Sequence, residues 1–462
     1  MSDPHPVGRR VLIVGHGAAG QGLAADVAAH GSIVVGFLDD FVEGENVLGT
    51  LGQVNEVVAA HRVDLVYFAI PSAPAKMVRE FIATIEADNV HLAIIPGTDE
   101  IIAKDSIRID DLTDIDVLDL VGRQPVRHDL LAARSFIRGK TIMITGAAGS
   151  IGSRLTQQVA SMEAARIICV DWWENGIFFL ARELHEYDNL VFRIADVKNT
   201  EQMSALFEKY EPDIVFHAAA YKHVPLMQDN PAEAIINNVS GTLELLRLAV
   251  ANEVGNFVYV STDKAVNPVN VMGATKRLGE MLMLSMAAEG SKTKLNAVRF
   301  GNVIQSNGSV MQIFRNQIAK HEPLTVTHED VTRFFMTIDE ASQLIIQSAM
   351  VGEASEIFVL DMGEPVRILD LARSLVRAID PTLTIEIIGM RPGEKMFEEL
   401  SYSPDEVDST SNEKIFVVRD SWVAPGEEFV SLIEDLIADV RTYRLTDEEL
   451  ISRLRQFGFA IQ

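Results

Sequence analysis

The sequence predicts an α/β protein built on two doubly wound parallel sheets, with a smaller mixed α/β part after them. Three observations predict it. An apolar strand running directly into a glycine-rich turn and then a helix occurs twice, at Val11–Val14 before Gly15-His-Gly17-Ala-Ala-Gly20 and at Thr141–Ile144 before Thr145-Gly146-Ala-Ala-Gly149-Ser-Ile-Gly152. Each is followed by short apolar runs that alternate with helical patterns, the rhythm of parallel strands joined by crossover helices. Past about residue 300 that rhythm loosens and turns become frequent.

In the first unit the next strand, Ile33–Leu38, ends at Asp39-Asp40, Leu65–Ile70 ends at Pro71-Ser72, and His91–Ile95 ends at Pro96-Gly97. In the second, Ile167–Val170 ends at Asp171, Val191–Ile194 at Ala195-Asp196-Val197, and Ile214–His217 at Ala218-Ala219-Ala220. Phe257–Val260 ends at Ser261, and Asn296–Phe300 at Gly301-Asn302. Two Rossmann-like domains result, over residues 1–120 and 139–300, joined by a connector at 121–138. Residues 301–425, with turns at Asn307-Gly308 and Arg391-Pro392-Gly393, are expected to form a substrate-covering part interleaved with the second domain. Residues 426–462 read as amphipathic helix with many acids, a solvated packing face.

The chain has 462 residues, 48% of them hydrophobic and 23% charged, enough for large cores in two or three domains. A net charge of −26 argues against nucleic acid as a partner. The single cysteine, Cys169, lies in an apolar strand, which rules out a disulfide framework and fits a reducing compartment. The first residues lack the apolar stretch of a signal peptide, and no apolar run reaches the roughly 18 residues of a membrane span. The expectation is a cytoplasmic location with no membrane span. No metal-ligand pattern is present.

Chemistry in such folds gathers at the carboxyl ends of strands. Gly146, Gly149 and Gly152, with Ala148, Ser150 and Ile151 between them, are expected to let the backbone approach a dinucleotide pyrophosphate at a helix N-terminus. Asp171, about twenty residues on, stands where a carboxylate holds an adenosine ribose and favours NAD. Arg154 leaves NADP open, since it could meet a 2′-phosphate. Asp196 and Val197 are placed for the adenine edge. The small residues Ala218, Ala219 and Ala220 let a nicotinamide lie close, with Lys222 and His223 toward a substrate. His223 serves a structural hydrogen bond equally well. Asn238 is expected to bond backbone. The first loop, with Asp39, fits either nucleotide binding or a structural or regulatory role.

The densest cluster is Ser261-Thr262-Asp263-Lys264, followed by Met272 and Lys276 on one face of a helix. The spacing resembles the Tyr-x-x-x-Lys pair of short-chain dehydrogenases, with Met272 in the tyrosine's place. A thioether neither gives nor takes a proton near neutral pH. An Asp-Lys pair at a strand end is expected to do acid–base work in its stead. Arg333 and Arg391, in loops of the later part, suit a diphosphate.

Thr141 to Leu155, Ala219 to Pro225, Ser261 to Lys276, Arg299 to Val303, Val326 to Ile338, Ile357 to Val366 and Arg391 to Leu400 together resemble the nucleotide-sugar 4,6-dehydratases of polysaccharide biosynthesis, extended short-chain dehydrogenases. Val35 to Asp40, Ala69 to Ser72 and Leu120 to Pro125 resemble the first domain of the large, usually membrane-anchored branch, in which Met commonly replaces Tyr. The resemblance spans about residues 9 to 420. It implies NAD(P)-dependent dehydration of a UDP-N-acetyl-hexosamine, UDP-N-acetylglucosamine above all, by a homo-oligomer. It implies Lys264 as base, Asp263 as acid, Thr262 on the 4-hydroxyl and Lys276 on the nicotinamide ribose. Lys222, His223, Asn302, Arg333, Arg391 and Glu394 would meet the substrate. For Lys264 to act as base, burial or neighbouring cations should depress its pKa. Two departures stand out: the preceding transmembrane helices are missing, and Gln305-Ser306-Asn307 replaces a usual Gly-Ser-Arg. The alternatives are a dehydratase that also epimerises carbon 5, a 4-epimerase, and a non-catalytic nucleotide-binding scaffold.

Overall fold

The computed structural model describes residues 8–85, 90–97, 107–109, 112–114, 120–121, 130–304, 306, 308–352, 355–401, 407–419 and 426–462. The first seven residues, most of the connector, Gln305 and Asn307 lie outside the described residues. The chain divides into two compact units, one of residues 1–125, 310–331 and 366–389, the other of 126–309, 332–365 and 390–462.

The first unit holds β1 (Arg10–Val14), β2 (Ile33–Leu38), β3 (Val47–Gly49), β4 (Leu65–Phe68), β5 (His91–Ile94) and β6 (Thr113–Asp114), in the order β3-β2-β1-β4-β5-β6. All neighbours are parallel except β5 and β6. The order reverses at β1 and β4, as in dinucleotide-binding sheets. Asp39, ending β2, accepts from the backbone N–H of His16 at 2.8 Å and of Phe41 and Val42 at 2.9 and 3.0 Å. The acid therefore ties the glycine loop to the next turn.

One segment assignment changes here. Residues 310–331 and 366–389, expected among the segments interleaved with the second domain, are grouped with the first. The reason is an apolar stripe. Helix Ile368–Ile379 buries Ile368, Leu369, Leu371, Ala372, Leu375 and Val376, and it packs on helix Ala75–Thr84. Arg377 then caps that partner, its Nη1 donating to the Ala83 carbonyl at 2.5 Å. Strands Leu324–Val326 and Ile385–Ile387 pair in parallel in the same unit.

The second unit carries a nine-stranded sheet. Its strands are β7 (Thr141–Thr145), β8 (Arg166–Asp171), β9 (Leu190–Ile194), β10 (Ile214–His217), β11 (Asn256–Val260), β12 (Lys294–Arg299), β13 (Ile357–Leu360), β14 (Val407–Ser409) and β15 (Ile415–Val418), ordered β14-β15-β13-β12-β11-β10-β7-β8-β9. The first seven are parallel, and β15 and β14 add on antiparallel. Successive side chains enter opposite cores: Met143, Ile168, Val215, Phe257, Tyr259 and Leu295 on one face, Ile144, Cys169, Phe216, Val258, Val260 and Val298 on the other. Burial on both faces explains why these strands read as continuous apolar runs. Cys169 is wholly buried, which pushes its thiol up to about 12.

The C-terminal segment forms helices Glu427–Arg441 and Asp447–Arg455. Its acids face solvent, while Phe429, Ile433, Leu436, Ile437, Val440, Leu450 and Leu454 join the core on the Tyr259 face. A capping box of Thr446 and Glu449 starts the second helix.

Candidate active site

The sheet of the second unit changes direction between β7 and β10, so the loops after β7, β8, β10 and β11 converge there. The loop after β7 is cramped. A Cβ on Gly146, whose φ is +70°, would stand 2.6 Å from the Ala219 nitrogen, and one on Gly152 would stand 2.0 Å from the Gly146 carbonyl oxygen. Bare backbone is thereby brought against the Ala218-Ala219 strand end, and helix Ser150–Ala160 starts with no side-chain cap. Asp171 Oδ2 accepts from the Ala148 N–H at 3.0 Å and Oδ1 from that of Trp173 at 3.0 Å. This repeats the role of Asp39 in the first unit. The residues after Asp171 are Trp172, Trp173 and Glu174, none basic, and Arg154 is engaged by Asp339 and Gln157. Asp196 caps its own turn by accepting from the Lys198 N–H, and Val197 is buried.

The loop after β10 is held by Asn238. Its Oδ1 accepts from the Tyr221 N–H at 2.8 Å, and its Nδ2 donates to the Tyr221 carbonyl and Thr275 Oγ1, both at 3.0 Å. This is the backbone-bonding role expected of it. Asn238 sits in a π-helical turn, Ile235–Ser240, the kind of helix irregularity that recurs at functional sites. Lys222 and His223 are exposed, and the His223 ring lies against Gly308.

After β11, the Ser261 and Asp263 N–H groups bond the Val298 and Phe300 carbonyls and pin the Ser261–Lys264 loop to the end of β12. Asp263 is 1% exposed. Its Oδ1 accepts from Lys264 Nζ and from Thr262 Oγ1, each at 2.9 Å, and Lys264 Nζ also reaches Asn302 Oδ1 at 3.3 Å. Helix Val271–Ala288 starts at Asn270, whose Oδ1 accepts from the Gly273 N–H. A Cβ on Gly273 would stand 2.2 Å from the Lys264 carbonyl oxygen, so this glycine lets the helix press on the Asp-Lys turn. Met272 is buried in the core, one turn before Lys276.

Lys276 is buried, with Nζ 4.0 Å above the Tyr259 ring. Burial lowers its pKa to about 7, against a partial offset from Glu280. His217, between Thr145 and Thr242 at 2.8 and 2.9 Å, is brought down to about 3, chiefly by burial and then by Lys276.

Lys264 departs from expectation. Burial does push its pKa down, but Asp263 and Glu398 outweigh burial and Arg333, so the net shift is upward. Lys264 is thus held as an ammonium, not the depressed amine expected, because the two acids beside it outweigh burial and the one cation, Arg333. Arg333 also differs from an open phosphate receptor. It is buried, with Nη2 on Glu394 Oε1 at 2.9 Å and Nε 3.8 Å from Glu398. Arg391 is exposed, and Glu394 Oε2 accepts from its backbone N–H at 3.3 Å.

Sequence reading missed Glu398, Glu280 and Arg299. Glu398 had a weak signal, an acid next to Phe397 in a segment already singled out. Arg299 had a stronger one, a cation inside an apolar strand, which calls for a buried acid. Glu280, four residues after Lys276, supplies it.

Two doubly wound units with an acid–amine pair at a strand end define a protein of the short-chain dehydrogenase/reductase fold. The chain belongs to the family described as polysaccharide biosynthesis protein, which matches residues 142–420, and residues 3–96 match the CoA-binding domain family. It is 41% identical to the capsular polysaccharide biosynthesis protein CapD of Staphylococcus aureus, over 86% of this chain and 67% of that one. Among solved structures, Pen from Bacillus thuringiensis is 32% identical with a TM-score of 0.58, over 63% of this chain and 91% of that one. The dTDP-glucose 4,6-dehydratase DesIV of Streptomyces venezuelae, solved with NAD and TYD, is 20% identical with a TM-score of 0.52, over 56% of this chain and 88% of that one. Among the described residues no helix is long and apolar enough to cross a membrane.

Proposed function

We propose that this chain is a nucleotide-sugar enzyme that removes water from a UDP-N-acetyl-hexosamine, UDP-N-acetylglucosamine foremost, to give the 4-keto-6-deoxy sugar. The observation that carries this reading is the buried Asp263–Lys264 pair at the end of β11, with inert Met272 where a tyrosine base would stand. The Gly146–Gly152 cradle, Asp171 and the absence of a basic residue directly after it fit NAD. When bound, NAD supplies an acceptor for the hydride of carbon 4 and a donor of hydride to carbon 6.

The chain's own residues do the proton work. A proton crossing the 2.9 Å hydrogen bond from Lys264 Nζ to Asp263 Oδ1 turns the ion pair into a neutral amine and a protonated acid. That is the state elimination needs. Closing a sugar over the pair strips its water and favours the uncharged forms. Lys264 then removes the carbon-5 proton, acidified by the 4-ketone, and Asp263 protonates the departing 6-hydroxyl, which restores the ion pair; the 4-hydroxyl proton passes to solvent as carbon 4 is oxidised, and solvent returns a proton to carbon 5 as carbon 6 is reduced. Base and acid side by side suit loss of water from neighbouring carbons on one face. Thr262 holds the 4-hydroxyl, Lys276 the nicotinamide ribose, and Arg391 with Lys222 the diphosphate. The expected homo-oligomer and cytoplasmic location belong to the same reading.

The test is to incubate purified protein with UDP-N-acetylglucosamine and follow mass. Loss of one water supports the reading, and unchanged substrate sinks it. An isomer of unchanged mass would select the 4-epimerase instead. Deuterium and stereochemistry at carbon 5 separate simple dehydration from dehydration with epimerisation. Gly152→Ala tests the cofactor cradle: a Cβ 2.0 Å from the Gly146 oxygen must displace the turn. NAD affinity by calorimetry is expected to fall roughly ten- to a hundredfold, the scale of an ångström's misplacement.

A further inference from the structure

Glu398 has no role in the chemistry above, yet it stands beside the base. Its side chain is 3% exposed, and Oε1 lies 3.7 Å from Lys264 Nζ and 3.8 Å from Arg333 Nε. Oε2 is buried with no hydrogen-bond partner among the described residues. Asp263 repeats the pattern at the same ammonium, with Oδ1 bonded at 2.9 Å and Oδ2 buried and unpartnered among the described residues. A buried carboxylate oxygen without a donor is costly and needs a compensating interaction. For Glu398 the two cations supply it, because charges at this separation couple strongly when water is excluded.

The segment that carries Glu398 is built to hold it there. Asn270 Nδ2 donates to the Gly393 carbonyl at 2.9 Å, Lys395 Nζ donates to the Val266 carbonyl at 2.9 Å, and Glu394 binds Arg333. Residues 393–399 are thus fastened to the loop between Lys264 and helix Val271–Ala288. The charged groups facing Lys264 are Asp263, Glu398 and Arg333, with the Asn302 amide oxygen beside them.

We propose that Glu398 is a positioning residue that holds the Lys264 ammonium against Asp263 and, as a fixed negative charge, governs when Lys264 gives up its proton. The consequence for rate rests on the reading of Lys264 as base, whereas the hold on Lys264 does not. Removing the charge favours the neutral amine, so Lys264 should lose its proton at lower pH.

The experiment titrates Lys264 in the NAD-loaded full chain by lysine-selective NMR, in wild type, Glu398→Gln and Glu398→Asp. Lys264→Arg assigns the signal. The expected result is a midpoint about one pH unit lower in Glu398→Gln, the size of an opposite-charge effect at this distance. Glu398→Asp, with its charge drawn back by one methylene, is expected to shift less and in the same direction, so either variant that folds serves. An unmoved midpoint overturns the proposal. In the second arm, the alkaline limb of kcat/KM for water loss, where the pair loses its one proton, should move down by the same amount. If Lys264 titrates as expected while no variant dehydrates the sugar, the functional reading falls and the assignment of Glu398 stands.

Discussion

Lys264→Ala is expected to lower turnover of UDP-N-acetylglucosamine by roughly 10²- to 10⁴-fold, the range that a positioned general base contributes. KM should change far less, because the amine acts on the transition state and the substrate's diphosphate is held elsewhere. The measurement is initial rate of 4-keto product with NAD retention as the folding control. Retained NAD with full turnover would remove Lys264 from the mechanism. Asp263→Asn should lose activity by a similar factor, since the amide cannot deliver a proton to the leaving hydroxyl. The pH profile adds a second check. Asp263 and Glu398 outweigh the downward pull of burial and raise the pKa of Lys264, so the free enzyme holds an ammonium at neutral pH. Activity should therefore hold through neutral pH and fall on the alkaline side, where the pair loses the one proton that Asp263 must deliver.

Glu280→Gln is expected to cost about 3–5 kcal/mol of stability, the usual result of removing one partner from a buried ionic network. Glu280 Oε1 accepts from Ser261 Oγ at 2.6 Å and Arg299 Nε at 2.8 Å, and Oε2 from Arg299 Nη2 at 2.6 Å and Arg277 Nη1 at 3.0 Å. Glu280 and Arg299 are fully buried. The amide removes the carboxylate charge that two buried guanidinium groups share. Urea unfolding followed by Trp172 and Trp173 fluorescence measures the loss, and an unchanged midpoint would refute it. The acid limb has a definite sign. Burial alone would raise the Glu280 pKa, but Arg299 and Arg277 bring it down to about 2 from 4.5. The network's contribution is complete above pH 4.5 and drains away as pH falls toward 2. Because Ser261 joins this network, Glu280 also anchors the strand end from which Thr262, Asp263 and Lys264 project.

Much of the molecule was legible locally. The strands ending at Thr145, Asp171, His217, Val260 and Arg299 are apolar runs with glycine, acid or small residues at their ends, and each signal lies within a few residues. Gly146 and Gly152 were readable as a cradle because the turn's demand for missing Cβ atoms is written in the loop itself. The Asp263-Lys264 pair with Met272 and Lys276 was readable because strand end and helix start are contiguous.

What sequence by itself determined about this protein is therefore its class, two doubly wound sheets, and the acid–amine pair at a strand end. Tertiary structure alone decided the state of that pair. Glu398 lies 134 positions from Lys264, and its sign of action on the amine depends on a 3.7 Å approach that no local pattern encodes. The same holds for Arg299 with Glu280, for Arg154 with Asp339, and for residues 366–389, which cluster with the first unit. Hydrophobic periodicity and turn chemistry act over a few residues. Charge acts through space, and its strength is set by how much water the fold removes.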